Sequence, residues 1–179
     1  NITFNNEPVP LTNFIEYVSL YLKDSEINFA HCRPNERWEV GACLSPIFSF
    51  QQISFVNGIN THRGGRHVDY IVKQITKRLS EHIRSKHKKT IKENFIKDNL
   101  MIFVNSTIVN PSFDSQTKET LTTNQRDFGS TCELADEFIK KIGETGIIER
   151  AIALSDFKDS ANLKKTDGKK KNKLMDIEK

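Results

Sequence analysis

The chain has 179 residues, 36% of them hydrophobic and 28% charged, with 8 Gly, 5 Pro and a formal net charge of +4. This is a globular composition, and it excludes a collagenous, mucin-like or wholly disordered chain. No apolar run approaches the roughly 20 residues that cross a bilayer; the longest, around Met101–Val104 and Ile147–Leu154, are broken by polar residues.

In chain order, residues 2–9 predict a short hairpin around Asn5-Asn6-Glu7. Asn13 and Glu16 have the spacing of a capping box, with Thr12 as a rival N-cap. Leu11, Phe14, Ile15, Val18 and Leu22 then recur at helical spacing, and Lys23-Asp24-Ser25 is expected to close the helix. Residues 25–36 are polar and read as irregular. Trp38–Leu44 and Gln51–Asn57 read as strands, with Ser45-Pro46 marking the turn between them. In the second strand Ile53 and Phe55 share one face and Ser54 and Val56 the other.

Thr61-His62-Arg63-Gly64-Gly65-Arg66 is a glycine-containing loop before a long amphipathic helix, about Val68 to Ile83, with a stripe of Val68, Ile71, Val72, Ile75, Leu79 and Ile83. Residues 84–97 are polar and basic. Asn99–Val109 is apolar at both parities and predicts a central strand covered on both sides. Asn110 to Asp114 is a turn. Ser130 and Glu133 predict another capped helix carrying Leu134, Phe138 and Ile142. Gly143 and Gly146 bracket a break before a last helix from Ile147, and the Lys-rich tail after Phe157 reads as a linker. Strands and helices interspersed in this way indicate an α+β fold, a mixed sheet backed by helices.

The size fits one domain, or one domain plus an appendage. The N-terminus has no basic stretch before an apolar core, so no signal peptide is expected, and the missing initiator Met suggests a piece of a longer protein. Cys32, Cys43 and Cys132 are odd in number and widely spaced, which favours buried reduced thiols over disulfides or a zinc site. The spacing of His31, His62, His67, His82 and His87 does not predict a metal site.

Three constellations carry chemistry. From Lys73 to Lys97 nine Lys or Arg stand against Glu81 and Glu93. Such a run can neutralise phosphates but cannot read bases, and it equally suits a solvated helix C-terminus. Asp114-Ser115-Gln116-Thr117-Lys118-Glu119 offers an ammonium and an amide for a phosphate, or is an ordinary polar loop. Arg63-Gly64-Gly65-Arg66-His67 either presents backbone N–H groups to an anion or serves a tight strand-to-helix turn. No nucleophile–base set stands out, and Tyr17, Tyr21 and Tyr70 all fall on predicted helices, where packing is their expected role.

Taken in order, several strings resemble the transducer domain of eukaryotic-type DNA topoisomerase II. They are Tyr17–Asp24, Arg37-Trp38-Glu39-Val40, Phe50–Asn57, Gly64-Gly65-Arg66-His67-Val68-Asp69-Tyr70, Asn110–Glu119 and Phe128-Gly129-Ser130-Thr131-Cys132. The resemblance covers Asn1 to about Phe157. It implies a ribosomal protein S5 domain 2-like transducer over residues 1–157 and a basic linker, 158–179, toward a Toprim cleavage module. It implies a homodimeric, ATP-dependent type IIA topoisomerase that passes one DNA duplex through another, with a GHKL ATPase domain upstream and Toprim and winged-helix regions downstream.

By the same resemblance, Gln116 and Lys118 belong to a QTK loop that touches the γ-phosphate of ATP, whose Mg lies outside this segment. Arg84, Lys86, Lys88 and Lys89 correspond approximately to a Lys-rich DNA-facing loop, here interrupted by Ser85 and His87. The segment alone is expected to be inactive, because the general base and the DNA-attacking tyrosine lie elsewhere. A nuclear location follows from the family, or a cytoplasmic virus factory for a viral relative; Lys164, Lys165, Lys169, Lys170 and Lys171 read as linker rather than localisation signal. The alternatives are a stand-alone S5-like nucleic-acid-binding module and the middle domain of another GHKL ATPase.

Overall fold

The computed structural model describes residues 3–9, 11–22 and 28–160. The expected helix stop at Lys23-Asp24-Ser25 and the lysines from 164 onward lie outside the described residues. Strands β1 (Thr3–Phe4) and β2 (Glu7–Pro8) form the expected hairpin. Asn5 and Asn6 both take positive φ, 52° and 66°, as a two-residue turn between twisted strands requires. Helix α1 (Phe14–Leu22) follows. Asn13 Oδ1 accepts from the Glu16 N–H at 2.9 Å, but the Glu16 carboxylate reaches back to Thr12 N–H at 2.6 Å, so the two candidate caps share the job.

The main sheet contains β3 (Phe29–Asn35), β4 (Trp38–Leu44), β5 (Gln51–Val56), β6 (Ile59–Asn60) and β7 (Leu100–Ser106), in the order β3-β4-β7-β5-β6. All neighbours are antiparallel except β5 and β7, which are parallel. β7 is central, as its two apolar parities predict. Leu100, Ile102 and Val104 enter the larger core, and Met101 and Phe103 the smaller. The larger core also takes Trp38, Val40 and Ala42 of β4 and the stripe of α2 (Arg66–His87). The smaller is closed by Val18, Phe14 and Leu22 of α1. Each buried aliphatic side chain in these layers contributes roughly 1.5–3 kcal/mol of transfer free energy.

Four expectations are corrected. Residues 29–35, read as irregular, form β3. Its polar, Pro-containing sequence is tolerated because it is an edge strand, where Pro34 is not obliged to donate to a ladder. α2 extends four residues beyond Ile83, to His87. The basic stretch after it contains a short helix, α3 (Glu93–Lys97), fixed to α2 by Thr76 Oγ1 donating to Glu93 at 3.0 Å. Ser130 does not cap a helix. Its Oγ accepts the Trp38 indole N–H at 2.8 Å, and α4 begins only at Asp136 and runs to Ile142. The break at the glycines is real: Gly146 takes φ 91°, and α5 (residues 148–160) continues at a new angle.

Candidate functional site

The chain leaves β7 through a pinch made by Asn57, whose side chain donates to Ile108 O at 3.0 Å and accepts from Ile108 N–H at 2.8 Å. Beyond it residues 112–123 fold back on themselves. Asp114 N–H donates to Thr120 O at 3.1 Å and Thr122 N–H to Ser112 O at 2.9 Å, and Phe113 bridges Leu121. At the tip, Lys118 N–H closes onto Ser115 O at 3.1 Å, and the Ser115 and Thr117 hydroxyls share a hydrogen bond of 2.7 Å. Asp114 turns its carboxylate inward to the Thr120 N–H and the Ser115 hydroxyl, which holds its pKa below the usual value. The acid that precedes the tip is therefore committed to the loop itself. Gln116 is exposed and Lys118 half-buried, and among the described residues neither side chain has a hydrogen-bond or ion-pair partner.

This loop is stapled to the start of α2. Leu121 N–H donates to Gly64 O and Arg66 N–H to Leu121 O, each at 3.0 Å, with Arg63 N–H to Glu119 O at 3.2 Å beside them. Gly65 takes φ 132° and ψ −167°, a region open essentially to glycine alone. A Cβ there would lie 2.4 Å from Leu121 O. The Glu119 carboxylate adds an ion pair of 3.5 Å to Arg63 and lies 3.5 Å from His62 Nε2. Of the two readings of Arg63-Gly64-Gly65-Arg66-His67, the tight turn holds; the Arg66 N–H that would face an anion is already engaged by Leu121. Leu121 was the residue missed from sequence, where it was one apolar residue in a polar stretch.

Under the staple lies a buried polar cluster. Ser54 Oγ and Thr61 Oγ1 are 2.6 Å apart, and His67 Nε2 is 3.2 Å from Thr61 Oγ1. His67 is fully buried, and burial drives its pKa down to about 4, so the ring is neutral near pH 7. Gln52 Nε2 donates to His62 O at 2.8 Å.

The opposite end of α2 carries the basic candidates. The helix has 22 residues, hence a length of about 33 Å. Arg84, Lys86 and Lys88 are exposed, and Lys88 ends the helix with φ 53°. Lys89 is half-buried and ion-paired to Asp156 of α5. The structure thus leaves three of the four cations open and commits the fourth to a partly exposed ion pair with α5.

The family model for DNA gyrase B matches residues 12–172. The chain belongs to this family. Within and around the family, it is 42% identical to DNA topoisomerase 2 of Arabidopsis thaliana over 97% of its own length, spanning 12% of that protein. The crystal structure of the ATPase region of Saccharomyces cerevisiae topoisomerase II shares 46% identity and a TM-score of 0.77 over 85% of this chain and 39% of that one. The ATPase and transducer domains of DNA topoisomerase II from Balamuthia mandrillaris give 41% identity and a TM-score of 0.80 over 87% and 39%. The α+β architecture with its five-stranded mixed sheet is thus the one found in the topoisomerase II ATPase region. Among the described residues, no helix is long and apolar enough to cross a membrane.

Proposed function

We propose that residues 1–157 are the transducer domain, of ribosomal protein S5 domain 2-like fold, of an ATP-dependent type IIA DNA topoisomerase, and that residues 158–179 link it to a Toprim cleavage module. In this reading the whole enzyme is a nuclear homodimer that passes one duplex through a transient break in another. This chain carries the nucleotide state of the ATPase domain to the DNA gate.

The observation that carries the reading is the tip of the loop at residues 115–118. It presents an ammonium and an amide without partners among the described residues, on a loop pinned by backbone hydrogen bonds to one end of a helix whose other end is basic. The donor set suits the terminal phosphoryl of ATP. Lys118 supplies a compact positive charge and Gln116 an amide N–H, and the neighbouring Asp114 is turned away. Any Mg2+ would accompany the nucleotide within the ATPase domain.

Lys118 and Gln116 hold the loop against the nucleotide-binding domain while the γ-phosphate is present and release it afterwards. Because Leu121 joins the loop to α2, tip and helix move as one body, and a change of angle at the tip displaces Arg84, Lys86 and Lys88 about 33 Å away. These three cations neutralise duplex phosphates without reading sequence. The chain alone is expected neither to hydrolyse ATP nor to cut DNA.

The test is Lys118→Ala in the whole enzyme. ATP turnover and decatenation are each expected to fall about tenfold or more, the scale of losing one charge-stabilising donor. Normal values for both would refute the phosphate contact.

A further inference from the structure

Beside the staple, on the return path of the same loop, lies a cavity of about 770 Å3 lined by Arg66, Tyr70, Asn124, Gln125, Arg126, Gly129, Ser130 and Thr131. Its lining holds two guanidinium groups, two amides and three hydroxyls, and no carboxylate. Arg66 is exposed, and among the described residues its guanidinium has no ion pair. Among the described residues Arg126 is ion-paired only to its own neighbour, Asp127, at 3.6 Å and largely in solvent, a weak pair.

The floor is rigid. Tyr70, Trp38 and Phe128 form an aromatic cluster with ring centroids 5.7–6.1 Å apart, Trp38 holds Ser130, and Asn35 Nδ2 donates to Thr131 O at 2.8 Å. A pocket rimmed by two exposed forked cations, one of them only weakly paired to Asp127, suits a carboxylate-bearing partner.

We infer that this pocket docks an acidic segment, bearing Asp or Glu side chains, of the nucleotide-binding domain, as a second anchor beside Lys118. The inference rests on the function proposed above. Two observations select this occupant. One is charge complementarity. The other is continuity: Asn124, Gln125 and Arg126 follow Leu121 by three to five residues, so the pocket lies at the base of the loop whose tip carries Lys118. The matched chain of ATPase and transducer domains is far longer than this one, which covers 39% of it. Two forked cations, Arg66 at the start of α2 and Arg126 just beyond the loop, would fix the orientation of the docked surface, where a single flexible lysine fixes only a point.

The experiment uses the whole enzyme with Arg66→Glu and Arg126→Glu combined. Expected are a fall of about fivefold or more in ATP turnover at saturating ATP, a KM for ATP changed by less than about twofold because Lys118 is intact, and an unchanged unfolding midpoint because both side chains are exposed. Arg66→Lys with Arg126→Lys should retain most activity. One Asp→Lys or Glu→Lys reversal on the facing domain should restore turnover to the double-Glu variant.

Unchanged turnover, or failure of every acidic reversal to rescue, would overturn the dock. So would inorganic pyrophosphate binding at millimolar concentration that the double-Glu change abolishes while turnover stays normal, since the pocket would then hold a free anion. If Lys118→Ala is silent while the double-Glu variant is impaired and rescued, the phosphate contact fails and the dock stands; the converse pattern removes the dock alone.

Discussion

At the N-terminal end of α2, backbone groups of residues 63, 64 and 66 hold a loop in register, and a glycine without a Cβ lets the two backbones touch. At its C-terminal end Arg84, Lys86 and Lys88 extend into solvent, and Lys89 alone is held, by Asp156. One end is specified by geometry and the other by charge. Geometry of this kind tolerates almost no substitution. Charge tolerates exchange between Lys and Arg and sums over residues. A helix with a fixed end and a solvated end is suited to carrying an angular change from a precise contact to a diffuse one.

The largest expected effect sharpens the first half of that contrast. Gly65→Ala must place a methyl against the Leu121 backbone at an unfavourable φ, and should cost about 4 kcal/mol from strain and overpacking together. Urea unfolding that shows a loss below about 1 kcal/mol would mean the staple is looser than its geometry.

Next is the acid sensitivity of the same end. Folded His67 has its pKa near 4 against an ordinary 6.5, so the unfolded chain takes up the proton first as pH falls. Stability is therefore full above pH 6.5 and declines toward pH 4, by about 3 kcal/mol in total for a shift of this size. His67→Gln should flatten this portion of the stability–pH curve; an equally steep curve in the variant assigns the acid loss to other groups.

The solvated end should behave in the opposite way. Replacing Arg84, Lys86 and Lys88 together by Ala should leave the unfolding free energy within about 0.5 kcal/mol of the parent. In the whole enzyme the slope of log DNA affinity against log salt should drop by up to about 2.7, if each cation meets one phosphate. An unchanged slope breaks the assignment of this end to DNA. Smallest is Lys89→Ala, which removes a partly exposed ion pair and should cost less than about 1 kcal/mol while leaving the salt slope nearly unaltered. A slope change of about 0.9, that of one full phosphate contact, would show that the Asp156 pair opens on DNA.

Much of this was legible beforehand. The stripe of α2 and the double parity of β7 are periodic signals, and both elements lie close to where periodicity puts them. β3 was not legible because an edge strand needs only one good face and tolerates Pro34. Ser130 and Glu133 have the spacing of a capping box, but a buried indole N–H needs an acceptor, and Trp38 takes the Ser130 hydroxyl instead. At the candidate site, Gln116 and Lys118 stood out only as members of an ordered set of strings. Their lack of partners and the commitment of Asp114 to its own loop appear only in three dimensions.

The sequence by itself determined the layers, the long amphipathic helix and the basic character of its far end, because hydrophobic period and charge are properties of residues in order. Only the tertiary structure decided that Leu121 lies between Gly64 and Arg66, that Lys89 belongs to α5, and that Arg66 and Arg126 share one cavity. Each of these joins residues dozens of positions apart, and such meetings are set by how the sheet and helices close on each other, which no local pattern encodes.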